Sequence, residues 1–111
     1  MKAFAGALLA AAVVAGGATA TTTPPKMGNA SIGHKLFIQH DCGSCHMLAA
    51  ANAMSPSGIG PDLDTTKKSF ALIDANITKG GKGMTGYAKT LTAAQIVDIA
   101  TFVYKSAHAN A

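Results

Sequence analysis

The chain of 111 residues contains no tryptophan, no arginine, no glutamate and only two cysteines. Its nine basic residues are all Lys and its five acidic residues all Asp. The Lys are scattered, with no basic run and no interleaved aromatics, which removes the usual footprint of nucleic-acid binding. Two cysteines, with no second C-x-x-C and no H-x-x-H, are too few for a four-ligand zinc site. No segment alternates in the manner of a strand, so a thioredoxin-like dithiol in a βαβ context is not supported. With aromatics at only 5%, a domain of this length has a thin core.

The one long apolar run lies at the start. Lys2 forms a short positive region, Ala3 to Ala15 an apolar stretch, and Ala18-Thr19-Ala20 an A-x-A cleavage site. This is the pattern of a secretory signal peptide, and the apolar stretch is shorter than a membrane span requires. Residues 1–20 are expected to be cleaved, 21–28 to form a flexible Thr/Pro-rich tail, and 29–111 to form one domain. Loss of the leader leaves 91 residues with eight Lys against five Asp, a net charge of +3. Export places the expected location in the bacterial periplasm.

Helical spacing dominates the rest. Asn29 or Ser31 caps a first helix running to about His40, with Ile32, Leu36 and Phe37 on its apolar face. Met47 to Ala53 reads as a short helix or loop. Ser55 to Asp64 is too rich in Pro and Gly for regular structure. A second helix fits Ser69 to Thr78, with Phe70, Ile73 and Ile77 aligned, and Gly80, Gly81 and Gly83 end it. The last helix starts at a capping box, Thr92 with Gln95, and carries Ile96, Ile99, Phe102 and Val103 to about Ala107. The expected fold class is all-α.

The run Cys42-Gly43-Ser44-Cys45-His46 carries the chemistry. C-x-x-C-H is the pattern that attaches a c-type haem: each thiol adds to one vinyl group, and the histidine becomes a proximal iron ligand. A disulfide across two intervening residues would close a very small loop. His and Met together hold the iron of electron-carrying cytochromes, and Met84 lies 38 residues beyond His46, far enough for the chain to pass around a haem edge. Met1 falls in the leader and Met27 in the tail. Met47 adjoins the proximal histidine and cannot cross to the other face; Met54 is a possible ligand but lies close to it. The Gly80–Gly83 glycines lack the Walker spacing and a preceding strand, so a phosphate cradle is not supported.

With an early C-x-x-C-H, the stretch Gly60-Pro61-Asp62-Leu63 and a glycine-flanked Met84 before a C-terminal helix, Ser31 to Lys105 resembles the class I c-type cytochromes, most closely the small monohaem bacterial ones. The resemblance implies three to five helices wrapped around one covalently attached haem c. It implies a crossing of the first and last helices at Gly33, Phe37, Ile99 and Phe102. It implies that the Pro61 carbonyl accepts a hydrogen bond from His46 and that Met84 is the distal ligand. Tyr87 is then expected to pack on the haem or bond a propionate. The family commonly has Pro after the distal Met; here Thr85-Gly86 follows, which is expected to loosen the ligand loop. His34, His40 and His108 are read as surface residues.

The function expected from these features is one-electron transfer by a monomeric periplasmic carrier, not an enzyme. Lys79, Lys82 and Lys89 flank Met84 and are expected to rim the exposed haem edge and steer acidic redox partners. No nucleic acid and no membrane insertion of the mature chain are expected. Two alternatives stand: a haem subunit of a larger periplasmic oxidoreductase complex, and a ligand-binding or catalytic haem protein should Met84 fail to hold the iron.

Overall fold

A computed structural model describes residues 25–54 and 58–109. The expected leader, residues 1–20, lies outside the described residues, as does the first half of the expected tail, residues 21–24.

Among the described residues three α-helices frame the domain: α1 (Ala30–Gln39), α2 (Phe70–Lys79) and α3 (Ala93–His108). Short 3-10 turns occupy Cys42–Ser44, Ala49–Ala51 and Leu63–Thr65. The described residues contain no strand, only isolated bridges at Leu48–Ala53 and Gly81–Met84. The all-α expectation holds. Among the described residues no helix is long and apolar enough to cross a membrane.

Each helix starts where a side chain satisfies an orphan backbone donor. Asn29 accepts from the Ile32 amide at 2.9 Å, so Asn29 rather than Ser31 is the cap of α1. Ser69 accepts from the Leu72 amide at 3.1 Å and stands just outside α2. Thr92 and Gln95 exchange side-chain and backbone bonds at 3.1 and 2.9 Å, completing the capping box of α3. One expectation needs correction: the stretch 55–64 is not wholly irregular. Asp62 accepts from the Asp64 amide at 2.9 Å and starts the turn at Leu63–Thr65.

The core lies where α1 and α2 pack against α3. Leu36, Phe37, Phe70, Ile73, Ile77, Ile96, Ile99, Phe102 and Val103 are buried there. At the crossing of α1 and α3, a Cβ on Gly33 would run into the Asp98 carbonyl and lie 2.9 Å from the Phe102 Cβ. Only glycine lets the two backbones approach this closely. Phe37 meets Phe102 edge to face, with ring centroids 5.6 Å apart, a favoured aromatic geometry. Phe102 also stacks on His34, with ring centroids 4.7 Å apart.

The N-terminal strap is held to α3 as well. Gly28 donates to the Thr101 hydroxyl at 2.7 Å and Asn29 to the Asp98 carboxylate at 2.8 Å. Gly28, the last residue of the expected tail, therefore sits against the last helix.

Candidate haem-binding site

α1 ends by turning sharply into the cysteine motif. Asp41 takes a left-handed φ of 55°, which an Asp tolerates better than most residues. Its carbonyl then accepts from the Ser44 amide at 3.0 Å and the Ser44 hydroxyl at 2.7 Å. The Cys42 carbonyl accepts from the Cys45 amide at 3.3 Å and the His46 amide at 3.1 Å. One tight turn thus carries Cys42, Cys45 and His46. Neither cysteine forms a disulfide. Burial pushes the Cys42 thiol up to about 11, with Asp41 and Cys45 acting in the same direction and a backbone hydrogen bond opposing them.

The loop after the motif folds back under the histidine. Gly60 donates to the Cys45 carbonyl and Leu63 to the Met47 carbonyl, both at 2.9 Å. Asp64 fastens the same loop by accepting from the Ala49 amide at 3.0 and 3.2 Å. Pro61 is thereby held beside His46, whose Nδ1 donates to the Pro61 carbonyl at 2.9 Å. Because a carbonyl can only accept, this bond puts the ring proton on Nδ1 and leaves the Nε2 lone pair for a metal. A Cβ on Gly60 would lie 2.6 Å from both Cε1 and Nδ1 of His46, so the ring occupies the space a side chain would take.

The Met84 segment is built differently. Gly81 and Met84 exchange backbone bonds at 2.9 and 3.0 Å. The two residues between them, Lys82 and Gly83, have φ of 53° and 92°, as a two-residue hairpin with two left-handed positions requires. Beyond it, Tyr87 donates to the Ile77 carbonyl at 2.9 Å and Ala88 to the Thr78 carbonyl at 3.3 Å. The segment is thus closed on itself and tied to the end of α2.

Met84 opens onto an apolar cleft whose walls are His40, Cys42, Ile77, Tyr87, Leu91 and Ile99. Burial also pushes the Tyr87 hydroxyl above its ordinary value, with Cys42, Cys45 and Asp41 adding to it, so the phenol stays neutral. The chemistry of the residues present, rather than the volume of the cleft, fits a haem. An apolar cleft reaches the first motif cysteine, a histidine nitrogen is oriented by its neighbour, and a glycine cradle receives the ring. Among the described residues no group of three or more His, Cys, Asp or Glu comes together as an alternative metal site.

The other three histidines are not simple surface residues. His34 stacks on Phe102. His108 stacks on Tyr104 at 4.1 Å and donates to its carbonyl at 2.9 Å. His40 lines the cleft and meets Tyr87 edge-on at 6.2 Å. All three are half-buried, each against an aromatic ring. Lys79, Lys82 and Lys89 are exposed, and Lys82 stands at the hairpin tip. Sequence reasoning missed Gly60 and His40. The run Cys45–His46 followed by Gly60–Pro61 held the signal for Gly60; nothing local marked His40.

Comparison with known proteins agrees with this geometry. Residues 28–103 match the family model described as "Cytochrome C oxidase, cbb3-type, subunit III". Among curated proteins, a cytochrome c6 of Rippkaea orientalis (strain PCC 8801 / RF-1) is 33% identical over 91 residues, covering 78% of this chain and 80% of that protein. No solved structure matches the chain. The chain belongs to the class I c-type cytochromes, small all-α proteins that hold haem c covalently and carry electrons on it.

Proposed function

We propose that this protein is a periplasmic one-electron carrier, not an enzyme, with one haem held by Cys42 and Cys45 thioethers and its iron by His46 and Met84. The observation that carries the proposal is a histidine oriented by the Pro61 carbonyl, in the same tight turn as Cys42, which lines an apolar cleft together with Met84. The haem supplies a one-electron couple. The chain's own residues set the terms on which that couple works. The Pro61 carbonyl fixes the His46 ring and raises the basicity of its free nitrogen. The Met84 thioether favours ferrous over ferric iron, and the walls of Ile77, Leu91 and Ile99 keep water out, which acts in the same sense.

A site held so firmly on both sides changes oxidation state with little rearrangement. The exposed Lys79, Lys82 and Lys89 favour fast, weak docking of acidic redox proteins by a monomer. Export follows from the leader pattern at residues 1–20, with cleavage after Ala20. Absorption spectra of the matured protein test the proposal. Sharp low-spin bands in both oxidation states, unmoved by carbon monoxide, are expected. A high-spin spectrum that shifts with carbon monoxide would mean an open sixth site, and ligand binding or catalysis in place of electron transfer.

A second reading has one observation in its favour. The matched family model is described as an oxidase subunit, so the domain would also suit a haem subunit fixed in a larger periplasmic complex. Stable co-purification with a large partner favours that reading; an isolated monomer favours the shuttle.

A further inference from the structure

The segment bearing Met84 lacks the proline common after the distal ligand, yet its backbone is tightly held. Two glycines do the holding. A Cβ on Gly80 would run into the Gly86 amide nitrogen and lie 2.5 Å from the Met84 carbonyl oxygen. A Cβ on Gly86 would lie 2.6 Å from the Lys79 carbonyl oxygen and 2.9 Å from that of Thr78. Every one of these neighbours is backbone, which cannot rotate aside as a flexible side chain does. The close approach is also what lets the Tyr87 and Ala88 amides reach the Ile77 and Thr78 carbonyls, two acceptors that the end of α2 would otherwise leave unsatisfied.

We propose that Gly80 and Gly86 are positioning residues for Met84, clamping its hairpin to the last turn of α2. The proposal rests on Met84 being the distal ligand. The two glycines contribute differently. Gly80 also has a φ of 68°, so a side chain there meets both backbone strain and a clash. Gly86 has no positive φ among the described residues, so a side chain there meets only the clash. Gly86→Ala is therefore the variant that isolates the clamp. Gly58, with a φ of 75° and no atom within 4 Å of its Cβ position, is the matching control for strain without contact.

The test uses matured holoprotein. It reads the far-red absorption of the Met–iron(III) bond and the carbon monoxide response of the reduced form. Loss of the far-red band and a carbon monoxide shift are expected in Gly86→Ala, with neither change in Gly58→Ala. An unchanged band in Gly86→Ala, where Met84→Ala abolishes it, would overturn the clamp and leave the ligand in place. A band that survives Met84→Ala would overturn the ligand assignment itself. Should Gly86→Ala fail to accumulate, hydrogen exchange of the wild-type holoprotein decides. Tyr87 and Ala88 amides protected like that of Gly80, which bonds Asn76 inside α2, support the clamp. Amides exchanging as fast as those in open loops would overturn it.

Discussion

His46 and Pro61 are joined by a hydrogen bond of 2.9 Å from the imidazole Nδ1 to the proline carbonyl, and Gly60 leaves the space in which the ring lies. The neighbouring amide bond from Gly60 to the Cys45 carbonyl ties that loop to the cysteine motif. Ligand, orienting acceptor and attachment site therefore form one small unit.

Gly60→Ala should break that unit. The new methyl group would lie 2.6 Å from the ring, so His46 must turn or the loop must move, and the bond to Pro61 is lost in either case. Loss of an orienting partner of this kind typically costs about 10–100-fold in metal affinity. The expected outcome is at least about a tenfold lower yield of six-coordinate holoprotein, read from its absorption spectrum. An unaltered yield and spectrum would show that the cradle is not needed.

Thr101 is fully buried. Its hydroxyl accepts from the Gly28 amide and donates to the Val97 carbonyl, both at 2.7 Å. Thr101→Val preserves the shape and removes both bonds. A loss of about 1 kcal/mol is expected, since the strap amide loses its partner. Chemical denaturation measures it, and a stability equal to wild type would mean that the strap contributes nothing.

Much of the architecture was legible because its causes are local. The capping box of Thr92 and Gln95 is a pattern of three-residue spacing, and the apolar stripe of Ile96, Ile99, Phe102 and Val103 repeats at helical period. The pairing of Phe37 with Phe102 followed from the family resemblance. What escaped the sequence depends on approach between distant segments. Gly86 reads as a flexible position until the Lys79 carbonyl is seen against it. Likewise, nothing beside His34 or His40 in the chain announces an aromatic ring 68 or 47 residues away.

Asp74 on α2 gives a pH dependence. Its Oδ1 is buried with no hydrogen-bond partner among the described residues, and burial raises its pKa. A carboxyl whose folded pKa lies above its unfolded value favours folding when protonated. That contribution is present at low pH and lost as pH rises through the folded pKa. Asp74→Asn should therefore raise Tm at neutral pH, and the gain should shrink as the pH falls toward the ordinary carboxyl range, near 3.8. A gain that is constant with pH, or absent, would contradict this.

Lys79, Lys82 and Lys89 give a salt dependence. Steering by exposed charges is screened beyond about 8 Å at physiological ionic strength. The rate of electron exchange with an acidic redox protein should fall as salt is added. It should also fall in Lys82→Gln, whose remaining rate depends less on salt. Stopped-flow kinetics measure both, and a rate indifferent to ionic strength would remove the lysine rim.

The ligand pair is the centre of the account, and potentiometry of wild-type and Met84→Ala holoproteins tests it most directly. A thioether stabilises ferrous iron, so the account predicts a clearly lower midpoint potential in Met84→Ala, together with loss of the far-red band. Equal potentials in the two proteins would contradict it, since the sulfur of Met84 would then not touch the iron.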